Sequence, residues 1–253
     1  MFKVLLSPSK SQQYDRDLIK FPVREPVSLV KSLKLLERLR QFDVQGLAKL
    51  MQISEKLSVL NTERFAEMQS SMTLENSKPC LQAFTGDVYS GFDLNEYSRA
   101  DYEYADKVLC ILSGFYGLLR PLDFIQPYRL EMKTKLDLDW CGIKNLYEFW
   151  GDDLTNLLNK RAGMVVNLAS KEYSSVIDFS SLNNGYVDID FYELKDGKPK
   201  IVAIHAKKAR GIMADWIVRD RIETLEDLRK FNLAGYKFDK LNSSDLHFKF
   251  VRS

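Results

Sequence analysis

The chain has 253 residues, with 37 Lys and Arg against 35 Asp and Glu and 45% hydrophobic residues. That balance suits a globular core and excludes disordered, collagen-like and disulfide-scaffold classes, while a net charge of +2 does not by itself announce a polyanion partner. No apolar run approaches the ~20 residues that span a bilayer, and the N-terminal run stops at Ser7-Pro8, short of a signal-peptide core, so a cytoplasmic protein is expected.

Phe2 to Leu6 reads as a short buried strand ended by a Ser-Pro turn. Ser7-Pro8-Ser9-Lys10 follows as a strand-to-loop junction with two hydroxyls and a lysine, open to a phosphate contact or to an ordinary turn. Leu29, Val30, Leu33, Leu36 and Leu39 then recur at helical spacing, with Lys31, Lys34, Arg38 and Arg40 on other faces. Asp43 and Ser54 stand as N-caps of two further helices, one carrying Leu47, Leu50 and Met51, the other Leu57 and Leu60. Only Gln52-Ile53-Ser54 separates them, which makes residues 44–61 a helix-hairpin-helix candidate. In that motif the hairpin offers amides to a phosphate and a flanking cation, here Lys49 or Lys56, neutralises the charge. Gln52 and Ser54 stand where glycines are usual, so a plain αα-hairpin is the alternative.

Residues 85–106 hold six acids, one arginine and five Tyr or Phe rings. The mostly apolar stretch from Val108 to Leu119 should end at Arg120-Pro121. Met164 to Leu168 reads as a buried strand, and Val187, Ile189 and Phe191 alternate with polar neighbours as a half-buried one. Asp196-Gly197 predicts a hairpin turn into the apolar run Ile201 to Ile204, which should place His205 on a buried strand. A helix with Ile212, Met213, Trp216 and Ile217 on one face comes next, and Leu246, Phe248 and Phe250 alternate in a last strand that would face His247 outward. Cys80, Cys110 and Cys141 lack metal or disulfide spacing and read as reduced core thiols. The fold expected is α+β, a single mixed domain over residues 1–253 with a central sheet surrounded by helices.

Charge is unevenly placed. Residues 198–210 carry five basic side chains and no acid, so the near-neutral sum is a cancellation against residues 85–106. Lys207, Lys208 and Arg210 are expected where a strand hands over to a helix, and cations there oppose the macrodipole by a few tenths to ~1 kcal/mol each. A bound anion would compensate; so would acids from residues 85–106. Arg120, Tyr128 and Arg129 lie in a proline-braced loop that suits phosphate contact and base stacking, or equally a packed surface loop with a salt bridge.

Several segments together resemble one family, the bacterial peroxide stress resistance protein YaaA and its relatives: SPSK at 7–10, AFTGDVYSG at 83–91, LSGFYGLLRPLD at 112–123, QPYRLEM at 126–132, LYEFWGD at 146–152, NLASKEY at 167–173 and AKKARG at 206–211. They keep the family's order and cover nearly the whole chain. The resemblance implies a cytosolic protein of the hydrogen-peroxide response, tied to limiting unincorporated iron and oxidative DNA damage. It also implies a cantaloupe-type fold with a positively charged cleft, and DNA binding with a helix-hairpin-helix element.

Together these readings predict a monomer that grips duplex or distorted DNA by its phosphates, without cofactor or metal. Lys10, Arg120, Tyr128 and Arg129 should meet Lys49, Gln52, Ser54 and Lys56 of the hairpin in one basic cleft, joined by Lys207, Lys208 and Arg210. The alternative is an enzyme in the same cleft acting on damaged DNA or a phosphorylated small molecule, with Lys207 or Lys208 and Asp152 as the pair to test. A non-haem iron site would need His205 and His247 together.

Overall fold

The structure, a computed structural model, describes residues 1–15, 18–138 and 142–252. The N-terminal run forms β1 (Lys3–Leu6), buried along its whole length. Even Lys3 is enclosed, its ammonium donating to the Lys107 carbonyl at 2.7 Å. Helix α1 (Leu29–Leu39) turns Leu29, Leu35, Leu36 and Leu39 inward, whereas Val30, expected on the same stripe, faces solvent. Helices α2 (Val44–Met51) and α3 (Glu55–Glu67) start where the caps predict: the Asp43 carboxylate accepts from the Gly46 N–H, and the Ser54 hydroxyl from the Leu57 N–H. Each cap satisfies an amide that a helix start leaves free.

Strand β2 (Lys78–Pro79) runs directly into the short α4 (Cys80–Ala83). Helix α5 (Arg99–Val108) opens on a capping box between Ser98 and Asp101. The apolar stretch after it is a hairpin of two strands, β3 (Leu109–Ser113) and β4 (Gly117–Leu119), reversed at Gly117 with φ of +73°. Next come β5 (Phe124–Ile125), which pairs with β2, then α6 (Leu146–Trp150), α7 (Asp153–Asn159), β6 (Val165–Asn167) and α8 (Lys171–Ser174).

Strand β7 (Tyr186–Lys195) buries Val187, Ile189 and Phe191 in alternation, and Asp196-Gly197, both at positive φ, turn it into β8 (Lys198–Lys200). The run Ile201 to Ile204 does not continue that strand. Ile201 and Ile204 are exposed, and Ala203 already begins α9 (Ala203–Arg219). Lys207, Lys208 and Arg210 therefore lie beyond the first turn, where the macrodipole penalty has faded, and His205 sits on a helix rather than a strand. The remaining elements are α10 (Leu225–Leu228), β9 (Lys237–Phe238) and β10 (His247–Arg252). Phe248 and Phe250 of β10 are buried, while Leu246 precedes the strand and is exposed.

The main sheet has the order β4-β3-β1-β6-β7-β10-β9, with β8 also on β7. Strands β3, β1, β6, β7 and β10 are mutually parallel, while β4, β8 and β9 run antiparallel. The architecture is thus mixed α+β, one continuous apolar cluster joining sheet and helices. Strand order has a functional consequence. After β1 the chain moves to β3 on one side, and after β6 it moves to β7 on the other, so the two carboxyl ends flank a crevice of the kind in which open parallel sheets bind ligands. The second turn of α9 is held over it by close packing: a Cβ on Gly211 would stand 1.7 Å from the Val88 carbonyl oxygen, and one on Gly91 2.4 Å from the Ile212 nitrogen. Cys80 and Cys110 are fully buried, and burial pushes both thiols up; Cys141 lies outside the described residues.

Gly211→Ala is expected to cost about 2–3 kcal/mol through overpacking. Urea unfolding measures it, and a cost under about 0.5 kcal/mol would contradict this packing.

Candidate functional site

Ser7 leaves β1 and Ser170 follows β6, and the two meet at the crevice: the Ser170 N–H donates to Ser7 Oγ at 2.9 Å, with the hydroxyls 3.2 Å apart. The Tyr89 hydroxyl donates to the Ser7 carbonyl at 3.0 Å and ties in the loop before it. Above lies a cavity of about 290 Å³, walled by Lys10, Asp87, Glu172, Lys207 and Arg210. The Arg210 guanidinium is largely enclosed. Among the described residues Asp190, 3.6 Å away, is its nearest carboxylate, and its Nε has no hydrogen-bond partner there. Burial pulls its pKa down and the Asp190 charge offsets this only in part. Glu172 likewise keeps a buried oxygen, Oε1, without a donor.

Lys10 also lines a second, wider groove of about 850 Å³ between α2 and residues 129–135. Its charged lining is Lys10, Lys49, Arg129, Lys133 and Lys135 against one acid, Glu131. Glu131 accepts from Lys10 at 2.6 Å and Arg129 at 3.0 Å, with Lys133 at 3.5 Å. Burial pushes the Glu131 carboxyl up, but the Lys10 hydrogen bond and the surrounding cations outweigh it and hold the group below the usual carboxylate range. A smaller hollow beside Pro8, Lys10 and Arg129 lies between groove and cavity.

The two helices beside the groove form an αα-hairpin. Gln52 takes the left-handed conformation, φ +53°, that glycine would adopt without strain. The Gln52 and Ile53 N–H groups both turn back to the Ala48 carbonyl, so an amide contact with a phosphate would have to come from the start of α3. Lys49 and Gln52 line the groove, while Ser54 and Lys56 are exposed just beyond it.

Other sequence-selected residues lie elsewhere. Arg120 is at the opposite, amino-terminal edge of the parallel strands, beside a cavity shared with Lys3, Lys160 and Arg161. It donates to the fully buried Asp123, which also accepts from Arg24 at 2.7 Å; Arg24 in turn forks onto Asp106. Tyr128 is buried with its hydroxyl 2.7 Å from Ser113 Oγ, so it offers no face for stacking. Lys208 is exposed on α9. Asp152 is an exposed residue at the start of α7 and does not line the cavity that holds Lys207. His205 faces Glu193 and His247 faces Asp190, separately; among the described residues no group of three or more His, Cys, Asp or Glu side chains could hold a metal ion. Sequence reasoning missed Lys133 and Lys135, whose alternation just past QPYRLEM was the available signal.

The parallel strands of this α+β sheet thus end at a crevice that opens beside a cation-lined groove. Residues 2–242 match the model of the peroxide stress protein YaaA family, and the chain belongs to that family. It is 42% identical over 254 residues to a UPF0246 protein of Acaryochloris marina, covering 99% of both chains. UPF0246 proteins of Idiomarina loihiensis and Cupriavidus metallidurans are each 43% identical, covering 98% of both chains. No helix among the described residues is long and apolar enough to cross a membrane.

Asp123→Asn should destabilise the fold by roughly 3 kcal/mol, because it removes the charge of a fully buried carboxylate that both Arg24 and Arg120 pair with; chemical denaturation checks this. Glu131 stabilises only while ionised. The advantage of wild type over Glu131→Gln should therefore be full above pH ~5 and shrink as pH falls below 4.5 through the lowered folded value, as read from urea midpoints across pH.

Proposed function

We propose that the chain is a cytoplasmic, monomeric DNA-binding protein of the peroxide stress response. It holds the phosphate backbone along the groove beside the αα-hairpin, and so protects DNA from oxidative damage and helps to limit unincorporated iron. The observation that supports this reading is the lining of that groove, five cations against one carboxylate that is already shared among three of them. Such an excess suits a polyanion, and contacts of this kind position a backbone without reading bases. Gln52, Ser54 and Lys56 would meet the backbone at the hairpin, while Lys207, Lys208 and Arg210 extend the basic surface past Lys10. Tyr128 and Arg120 take no part, being buried and facing the other edge of the sheet. Any effect on iron would be indirect, through what is bound rather than through a resident metal.

Duplex affinity should fall steeply with salt, by roughly 0.9 log unit per log unit of salt for each phosphate neutralised. The double variant Lys49→Gln/Lys135→Gln should weaken binding and lower that slope by about 1.8, as fluorescence anisotropy at several salt concentrations would register. A flat salt dependence overturns the reading.

A further inference from the structure

The narrow cavity differs from the groove in size, charge pattern and place in the fold. We propose that it is a distinct site for a phosphate monoester carried on a hydroxyl-bearing sugar, the chemistry shared by a free sugar phosphate or nucleotide and by the phosphorylated end of a DNA strand. It shares Lys10, Lys207 and Arg210 with the basic surface proposed above, whereas Lys49 and Lys135 line the groove alone.

Size comes first. About 290 Å³ lies at the lower end of small-molecule sites and corresponds to one nucleotide-sized molecule rather than a length of duplex. The position is the crevice where the connections from β1 and β6 diverge, the part of a parallel sheet that collects ligands irrespective of chemistry. The walls then define the ligand. Lys10, Lys207 and Arg210 supply three cations, and the enclosed Arg210 has an Nε–H without an acceptor and one carboxylate at only 3.6 Å. A largely enclosed guanidinium this loosely paired suits a phosphate, whose oxygens match its fork.

Two carboxylates, Asp87 and Glu172, share the same cavity, and Glu172 Oε1 is buried without a donor. A bare polyphosphate would meet repulsion from them. A ligand that presents its phosphate to Lys10, Lys207 and Arg210 and a hydroxyl to Glu172 matches the mixed charge of these walls. The Ser7 and Ser170 hydroxyls at the floor can accept or donate to the same sugar. The glycine contacts at Gly91 and Gly211 set these walls against each other before any ligand arrives, so little ordering cost remains for binding.

Calorimetric titration with ribose 5-phosphate, ribose, inorganic phosphate and a nucleoside 5′-monophosphate tests the free-ligand source. Nicked duplexes that differ only in a 5′-phosphate or 5′-hydroxyl test the strand-end source. One-site binding that requires the phosphate is expected in at least one arm. Lys207→Glu, which alters an exposed side chain, should weaken it about ten-fold or more. Glu172→Gln should weaken the sugar-bearing ligands while inorganic phosphate, relieved of a repelling charge, binds as well or better, a split that mere loosening of the fold would not produce. Lys49→Gln/Lys135→Gln should leave monoester affinity intact. The proposal is overturned if neither arm prefers the phosphorylated form, if folded Lys207→Glu binds as wild type does, or if the groove variant abolishes monoester binding.

Discussion

Four buried residues, Lys3–Leu6, hydrogen-bond to β3 on one side and β6 on the other, and this double pairing sets where everything else can stand. A central parallel strand needs both its neighbours and cover on both faces, which demands the apolar character the segment has. Because β1 stops at the same level as β6, Ser7 and Ser170 arrive together. Because the chain leaves those strands in opposite directions, nothing fills the space beyond them. The crevice follows from the register of one short strand, and the second turn of α9 lies over it.

Cations in this molecule divide by their surroundings. Arg24 and Arg120 are tied to buried Asp123 and belong to the architecture at one edge of the sheet. Lys49, Lys133 and Lys135 face open groove at the other edge. Residues 85–106 do not form a separate acidic pole: Tyr89–Gly91 and α5 pack on α9 itself, and Asp101 and Asp106 are spent on Arg221 and Arg24. The charge relation that matters is therefore local. Lys10 lies at the junction, lining groove and cavity while bonded to Glu131, so a ligand in either space competes for the same ammonium.

Much of the fold was legible because it is written locally. Caps at Asp43 and Ser54, the alternation in β7 and the turn at Asp196-Gly197 depend on neighbours within a few residues. The failures lie where tertiary packing decides. Ile201 to Ile204 has a strand's composition, yet β8 is a short edge strand and the chain turns at once into α9. Tyr128 looked available for stacking because an aromatic beside arginine reads alike on a surface or in a core; the partner that claims it, Ser113, comes from β3. Arg120 stands three residues before Asp123, but that pair becomes structural only when Arg24 closes on it. The groove was half visible: Lys10, Lys49 and Arg129 were found, whereas Lys133 and Lys135 gain meaning only when residues 129–135 fold against α2.

The two described cysteines give the family's association with peroxide a particular sense. A thiol reacts with peroxide as its thiolate and only where the oxidant can reach it. Cys80 and Cys110 lie wholly inside the core, and burial favours their protonated form. Both are consequently built to survive an oxidising episode unchanged, rather than to record one.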